Sequence, residues 1–175
     1  MSKTYELPTR ETLNLLEEVK KKYHKGLIDY DVQLGVIIVH AAVDEKTGER
    51  KGHAIKGHAG APAAAQVKIV PLKDRLIKKF DVELLIDGDG WDDLTRQEQV
   101  ALLDHELTHI MVTGEIDDLK RPVVKMRDED FIVWGFLDVV RRHGAAALEA
   151  QSVKRLIDKH GQLLLNGIAP EPEAA

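Results

Sequence analysis

Apolar and polar positions follow two rhythms along this chain, and the switches between them mark out its elements. Residues 9–25 place Leu13, Leu16, Val19 and Tyr23 at spacings of three and four, which predicts a helix capped by Thr9 and stopped by Gly26. The lysines at 20–22 read as its solvated side. Residues 32–42, VQLGVIIVHAA, are rich in β-branched side chains and predict a buried or half-buried strand, with His40 satisfied at its edge. Periodicity then disappears over 43–65, a Gly-, Lys- and Ala-rich stretch that predicts a hairpin or hinge-like loop bearing His53 and His58. Short strands are predicted at 66–71 and 81–86, with one or two helical turns at 73–79 between them. The following DGDGWDD reads as a turn from strand to helix with Trp91 packed beneath that helix; the later oxygen ligands of a calcium loop are missing from LTRQEQ.

Residues 94–113 show the clearest helical pattern. Thr95 and Glu98 form a capping-box pair, Ala101, Leu102, Leu103, Leu107, Ile110 and Met111 recur at helical spacing, and Gly114 offers a stop. Beyond it, 115–128 reads as a charged loop with one short strand at 123–126. A helix is predicted over 130–142, with Phe131, Trp134, Leu137 and Val140 on one face beside Phe136, and another over 145–160. The Pro- and Glu-rich residues 169–175 are expected to be disordered, leaving 1–168 as a single domain. The pattern as a whole predicts an α+β fold: a small mixed sheet packed against the 94–113 helix and two or three further helices.

That helix also carries chemistry. His105 and His109 lie one turn apart and can aim both imidazoles at one point, while Glu106 is rotated about 100° away and can reach a water there without being forced to ligate. Two His and a Glu in this spacing are the parts of metal-assisted hydrolysis. The bare pattern is short enough to arise in roughly 3% of chains this long, so helical context and a third ligand must carry the reading. The sequence has no cysteine, which restricts any metal to nitrogen and oxygen donors; it is the hydrolytic His-Glu-x-x-His pattern that makes Zn2+ the expected ion. Downstream candidates for the third ligand are Glu115, Asp117, Asp118, Asp128, Glu129, Asp130 and His143. Glu129 is preferred, then Asp130, then His143, because Glu129 and Asp130 open the next predicted helix, where one acid can ligate while the other caps or orients an imidazole.

Charge and hydropathy narrow the setting. A net charge of −5 gives no general attraction for nucleic acid, although a local basic patch is compatible with it. No apolar run approaches the ~20 residues of a membrane span, and MSKTYELPTRETLNLLEEVK lacks the apolar core of a signal peptide. A cytoplasmic location is expected.

Three runs, DVELLIDGDGW, LTRQEQVALLDHELTH and GFLDVVRRHG, resemble the phage metallopeptidase family over roughly residues 30–150. The resemblance implies a compact zincin-like fold in which strands precede the His-Glu-x-x-His helix. It also implies one zinc held by His105 and His109, Glu106 as general base, a peptide or protein substrate, and the host cytoplasm as its place of action if phage-encoded. In that family a His-Asp pair often precedes the last aromatic-Gly-aromatic helix. Glu129-Asp130 stands there instead, which implies either that Glu129 replaces that His as the ligand or that the site is weakened. Asp104, within the matched run, is a candidate for supporting a ligand imidazole, and His143 for stabilising the transition state. The alternative is a zincin-like module that binds metal or a partner, including a DNA-associated one, without catalysis.

Overall fold

A computed structural model describes residues 2–57, 60–129 and 135–160, with 155–160 as backbone only. After a short strand β1 (Thr4–Glu6), helix α1 spans Arg10–Tyr23, and the Thr9 hydroxyl accepts the Thr12 N–H at 3.2 Å as its cap. Its buried face is Thr12, Leu15, Leu16 and Val19. Leu13, assigned to the stripe from spacing, is 42% exposed. Leu16 and Val19 are common to both choices; periodicity defines a stripe's repeat, but the neighbour that packs on it decides which flank is covered. Gly26 does not end this helix, since the chain turns at His24 and Gly26 falls inside a short second helix α2, Lys25–Asp29.

The sheet is built around β2 (Leu34–His40), which runs parallel to β6 (Val82–Asp87). β1 pairs antiparallel with β2, and β5 (Ala65–Ile69) pairs antiparallel with β6, giving the order β1-β2-β6-β5. Alternation in β6 buries Val82, Leu84 and Ile86 completely, in one core with Leu15, Leu16 and Val19 of α1. The opposite face is covered by the segment that lacked periodicity. Strands β3 (Ala42–Val43) and β4 (Arg50–Lys51) form a small hairpin in it, and then Ala54, Ile55 and Ala63 pack on Ile37, Val39 and Leu85. Two short helices flank β6, α3 (Leu72–Arg75) and α4 (Gly88–Trp91); Trp91 lies in the main core, as its place after the turn predicts.

Helix α5 is shorter than its apolar pattern, running Arg96–Thr108 with the full capping box at Thr95 and Glu98. His109 closes it, still in helical backbone geometry, and the chain leaves as β7 (Ile110–Ile116) paired antiparallel with β8 (Pro122–Met126). The run Ile110-Met111-Val112-Thr113 is compatible with either period; pairing with β8, which sets Ile110 against Met126 and Val112 against Val124, decides for the strand. Gly114 has φ of 82° and sits where the ladder slips between Val112 and Ile116, so its left-handed backbone makes a bulge and not a helix stop. Helix α6 covers Leu137–His143, the later half of the predicted 130–142 helix; 130–134 lie outside the described residues. After a 3-10 turn at Gly144–Ala146, α7 runs Leu148–His160. The 169–175 tail lies outside the described residues as well.

The architecture is thus mixed α+β, with a small mixed sheet and seven helices among the described residues. The orientation of α1 has a direct check. Leu15→Ala should cost about 2–5 kcal/mol in urea unfolding by leaving a cavity, whereas Leu13→Ala should cost below about 1 kcal/mol. Equal losses would mean that the buried face is misassigned.

Candidate metal centre

Every residue of α5 from Ala101 to Leu107 is buried, Asp104, His105 and Glu106 among them. A buried polar group is costly unless it is paired, so each of the three needs a partner, and successive residues turned by about 100° must find theirs in different directions. His105 finds two. Its Nδ1 is 2.7 Å from Glu149 Oε1, and its Nε2 is 3.5 Å from Glu129 Oε1. His109 Nδ1 is 2.9 Å from the Arg127 carbonyl oxygen, which can only accept, so this nitrogen carries the proton. The Nε2 of His109 is 3.8 Å from the same Glu129 oxygen.

His105, His109 and Glu129 therefore direct ligand atoms to one place, all within 4.8 Å of one another. Zinc bonds of about 2.0–2.2 Å place neighbouring ligand atoms of a tetrahedron roughly 3.3 Å apart, close to the 3.5 and 3.8 Å that separate the Glu129 oxygen from the two imidazole nitrogens. The donor set, two imidazole nitrogens and one carboxylate oxygen, is one that zinc takes in hydrolytic sites. Both histidines have an acceptor at Nδ1, the arrangement that leaves Nε2 available to a metal. Phe136, fully buried, lies tilted against the His105 ring at 5.1 Å between centroids and edge-on to the His109 ring at 4.6 Å, with the Arg127 guanidinium 5.0 Å over its face.

The electrostatics favour a cation here. Burial opposes charge on His105, but hydrogen bonds to Glu129 and Glu149 outweigh it and raise its pKa to about 10. What draws a proton to that nitrogen also draws a metal ion. Burial lowers the pKa of His109, which keeps its imidazole neutral and able to ligate. Burial also pushes the Glu106 carboxyl up to about 7, against the charge of His105 and a hydrogen bond from the Val67 N–H of β5. Glu149 goes the other way: burial would raise it, but His105 holds it below the usual carboxylate range.

The remaining predicted residues are placed elsewhere. Asp104 is fully buried and makes a second hub: Oδ1 receives His24 Nε2 at 2.7 Å and Arg142 Nη2 at 3.0 Å, while Oδ2 receives Arg142 Nε at 2.9 Å and His143 Nε2 at 2.7 Å. His143 is thereby engaged with Asp104 and is not grouped with His105, His109 and Glu129. His40 is held at the strand edge by Asp89 at 2.8 Å and Glu6 at 3.1 Å. Asp130 and His58 lie outside the described residues. Of the acids at 115–118, Asp117 pairs with Arg75 at 2.8 Å, and Arg121 reaches the buried Asp81 at 2.7 Å, which anchors the tip of the β7–β8 hairpin to the sheet. Sequence reasoning missed Glu149. Its one local signal is that it is the sole charged residue in the run GAAALEA at 144–150.

Comparison with known families agrees with these features. A family model described as "Putative phage metallopeptidase" matches residues 5–161, nearly the whole chain, and the protein belongs to that family. Comparisons with curated proteins and with solved structures find no match. Among the described residues no helix is long and apolar enough to cross a membrane.

Asp104 makes the interior pH-sensitive in a defined direction. Burial would raise its pKa, but hydrogen bonds from His24, Arg142 and His143 hold it far below the usual carboxylate range. A depressed carboxyl contributes stability above its unfolded value, near pH 4, and loses it as pH falls toward the folded value. Asp104→Asn should therefore lower stability by about 2–3 kcal/mol at pH 7, a figure reduced because Arg142 can turn to water. In denaturant titrations the gap from wild type should close as pH drops below about 4. A gap independent of pH would contradict the ionic role.

Proposed function

We propose that this protein is a zinc-dependent peptidase with a zincin-like arrangement of helix and sheet, His105, His109 and Glu129 being the metal ligands and Glu106 the general base. The observation that carries the reading is the convergence of those three ligand atoms within 4.8 Å, beside a carboxylate that neither histidine engages. The family name supplies the substrate class, a peptide bond. Zinc, when bound, supplies Lewis acidity that brings the pKa of water toward neutrality and polarises a carbonyl oxygen.

The chain's own groups do the rest. Glu106 lies on α5 one position past His105, so the same rigid helix carries the base and the two histidines and holds their spacing. Its carboxylate takes the proton of the attacking water and passes it to the departing amine. The Val67 N–H on β5 orients that carboxylate from the sheet side. Phe136 walls the ligand imidazoles off from water on its own side, which strengthens the electrostatic interactions there.

Two substitutions separate base from ligand. Glu106→Gln should lower casein hydrolysis by roughly 10²–10⁴-fold while zinc still binds one per chain. His109→Ala should lose both zinc and activity. Wild-type cleavage by the Glu106→Gln protein would remove the general-base assignment, and a wild-type chain without zinc by elemental analysis after zinc dialysis would overturn the reading as a whole.

A further inference from the structure

We infer that Glu149 is a positioning residue for the metal centre: from α7 it fixes the tautomer and aim of His105, which makes the C-terminal helices part of the site and not only a cover for it. The inference rests on the zinc reading above and adds a residue that the His-Glu-x-x-His pattern does not contain.

The contact is short and enclosed. Glu149 Oε1 lies 2.7 Å from His105 Nδ1, and the two side chains are 2% and 11% exposed. The same oxygen accepts the Phe136 N–H at 3.1 Å, so backbone at the start of α6 locates it. Close approach is built in, because a Cβ on Gly135 would overlap the Glu149 side chain, and only glycine leaves that space. Packing does not require an acid here. Its buried neighbours Phe136, Val139 and Ala147 form an apolar cluster, and an apolar side chain of similar volume would fill the position without the cost of burying a charge.

The two ligand imidazoles are held by different means. His109 gives its Nδ1 proton to a main-chain carbonyl, which no substitution removes, while His105 depends on a side chain 44 residues downstream. A carboxylate at Nδ1 keeps the proton on that nitrogen, leaves the Nε2 lone pair directed at Glu129 and His109, and increases the basicity of the ring toward a metal. Without it the ring can flip or exchange tautomers, and the nitrogen aimed at the metal is no longer fixed.

The test measures zinc affinity by competition with a chromophoric chelator, together with the visible spectrum of the cobalt(II)-loaded protein. Glu149→Ala should weaken zinc binding by roughly 10–100-fold, with a smaller loss for Glu149→Gln, which keeps the shape but not the charge. Gly135→Ala, which displaces Glu149 without changing its chemistry, should weaken binding in the same way. Val139→Ala, in the same apolar cluster but with no polar group to hold an imidazole, should lower the melting temperature and leave zinc affinity and the cobalt spectrum unchanged. If both Glu149 variants bind zinc as wild type does, or if Val139→Ala weakens it equally, Glu149 is only structural and the inference falls while the zinc reading stands. If wild type itself takes up no zinc, both fall.

Discussion

The structure depends on one constraint: a helix whose residues 101–107 are buried on all sides carries three consecutive ionisable residues there. Asp104, His105 and Glu106 are all enclosed in α5, and the helical turn sends each in a different direction. Asp104 takes hold of α1's end and α6 through His24, Arg142 and His143; His105 takes hold of Glu129 and Glu149; Glu106 meets the Val67 N–H on β5. The desolvation of these groups is offset only if every partner is in place. The same requirement brings the helices, the sheet and the last turn of α5 into one register.

The early end of α5 is part of this design. With the helix closing at His109, the chain reverses through β7 and β8, and the strand ladder returns it beside its starting point, where the Arg127 N–H bonds the His109 carbonyl at 2.7 Å. That return supplies the carbonyl that fixes His109 and, two residues later, the Glu129 carboxylate. A helix running on to residue 113 would have carried the chain away from the histidines. The ion pairs from Arg75 to Asp117 and from Arg121 to Asp81 hold the far end of the hairpin, so the near end is delivered at a fixed place.

Charge at the site is arranged so that a cation is welcome there. Two carboxylates flank His105, and Phe136 limits the water that would screen them on its side. His109, with a backbone carbonyl in place of a carboxylate, stays neutral. The asymmetry gives the centre one strongly basic nitrogen and one weakly basic one, while burial, against the charge of His105, pushes the Glu106 carboxyl up to about 7.

By itself the sequence determined the α5 cap, the alternation of β6, the spacing of His105, Glu106 and His109, and the absence of thiolate donors, because each of these is a local property of residues near one another in the chain. Glu129 could be preferred among several acids but not selected, since its approach depends on the hairpin reversing the chain. Only the tertiary structure decided that 110–113 pair as a strand, that Leu15 and not Leu13 faces the core, that Asp104 and His143 belong to a separate buried hub, and that Glu149 lies behind His105. Those outcomes turn on which surfaces meet across 30 or more residues in some cases and on strand pairing in others, and side-chain periodicity carries no information about the identity of a distant partner.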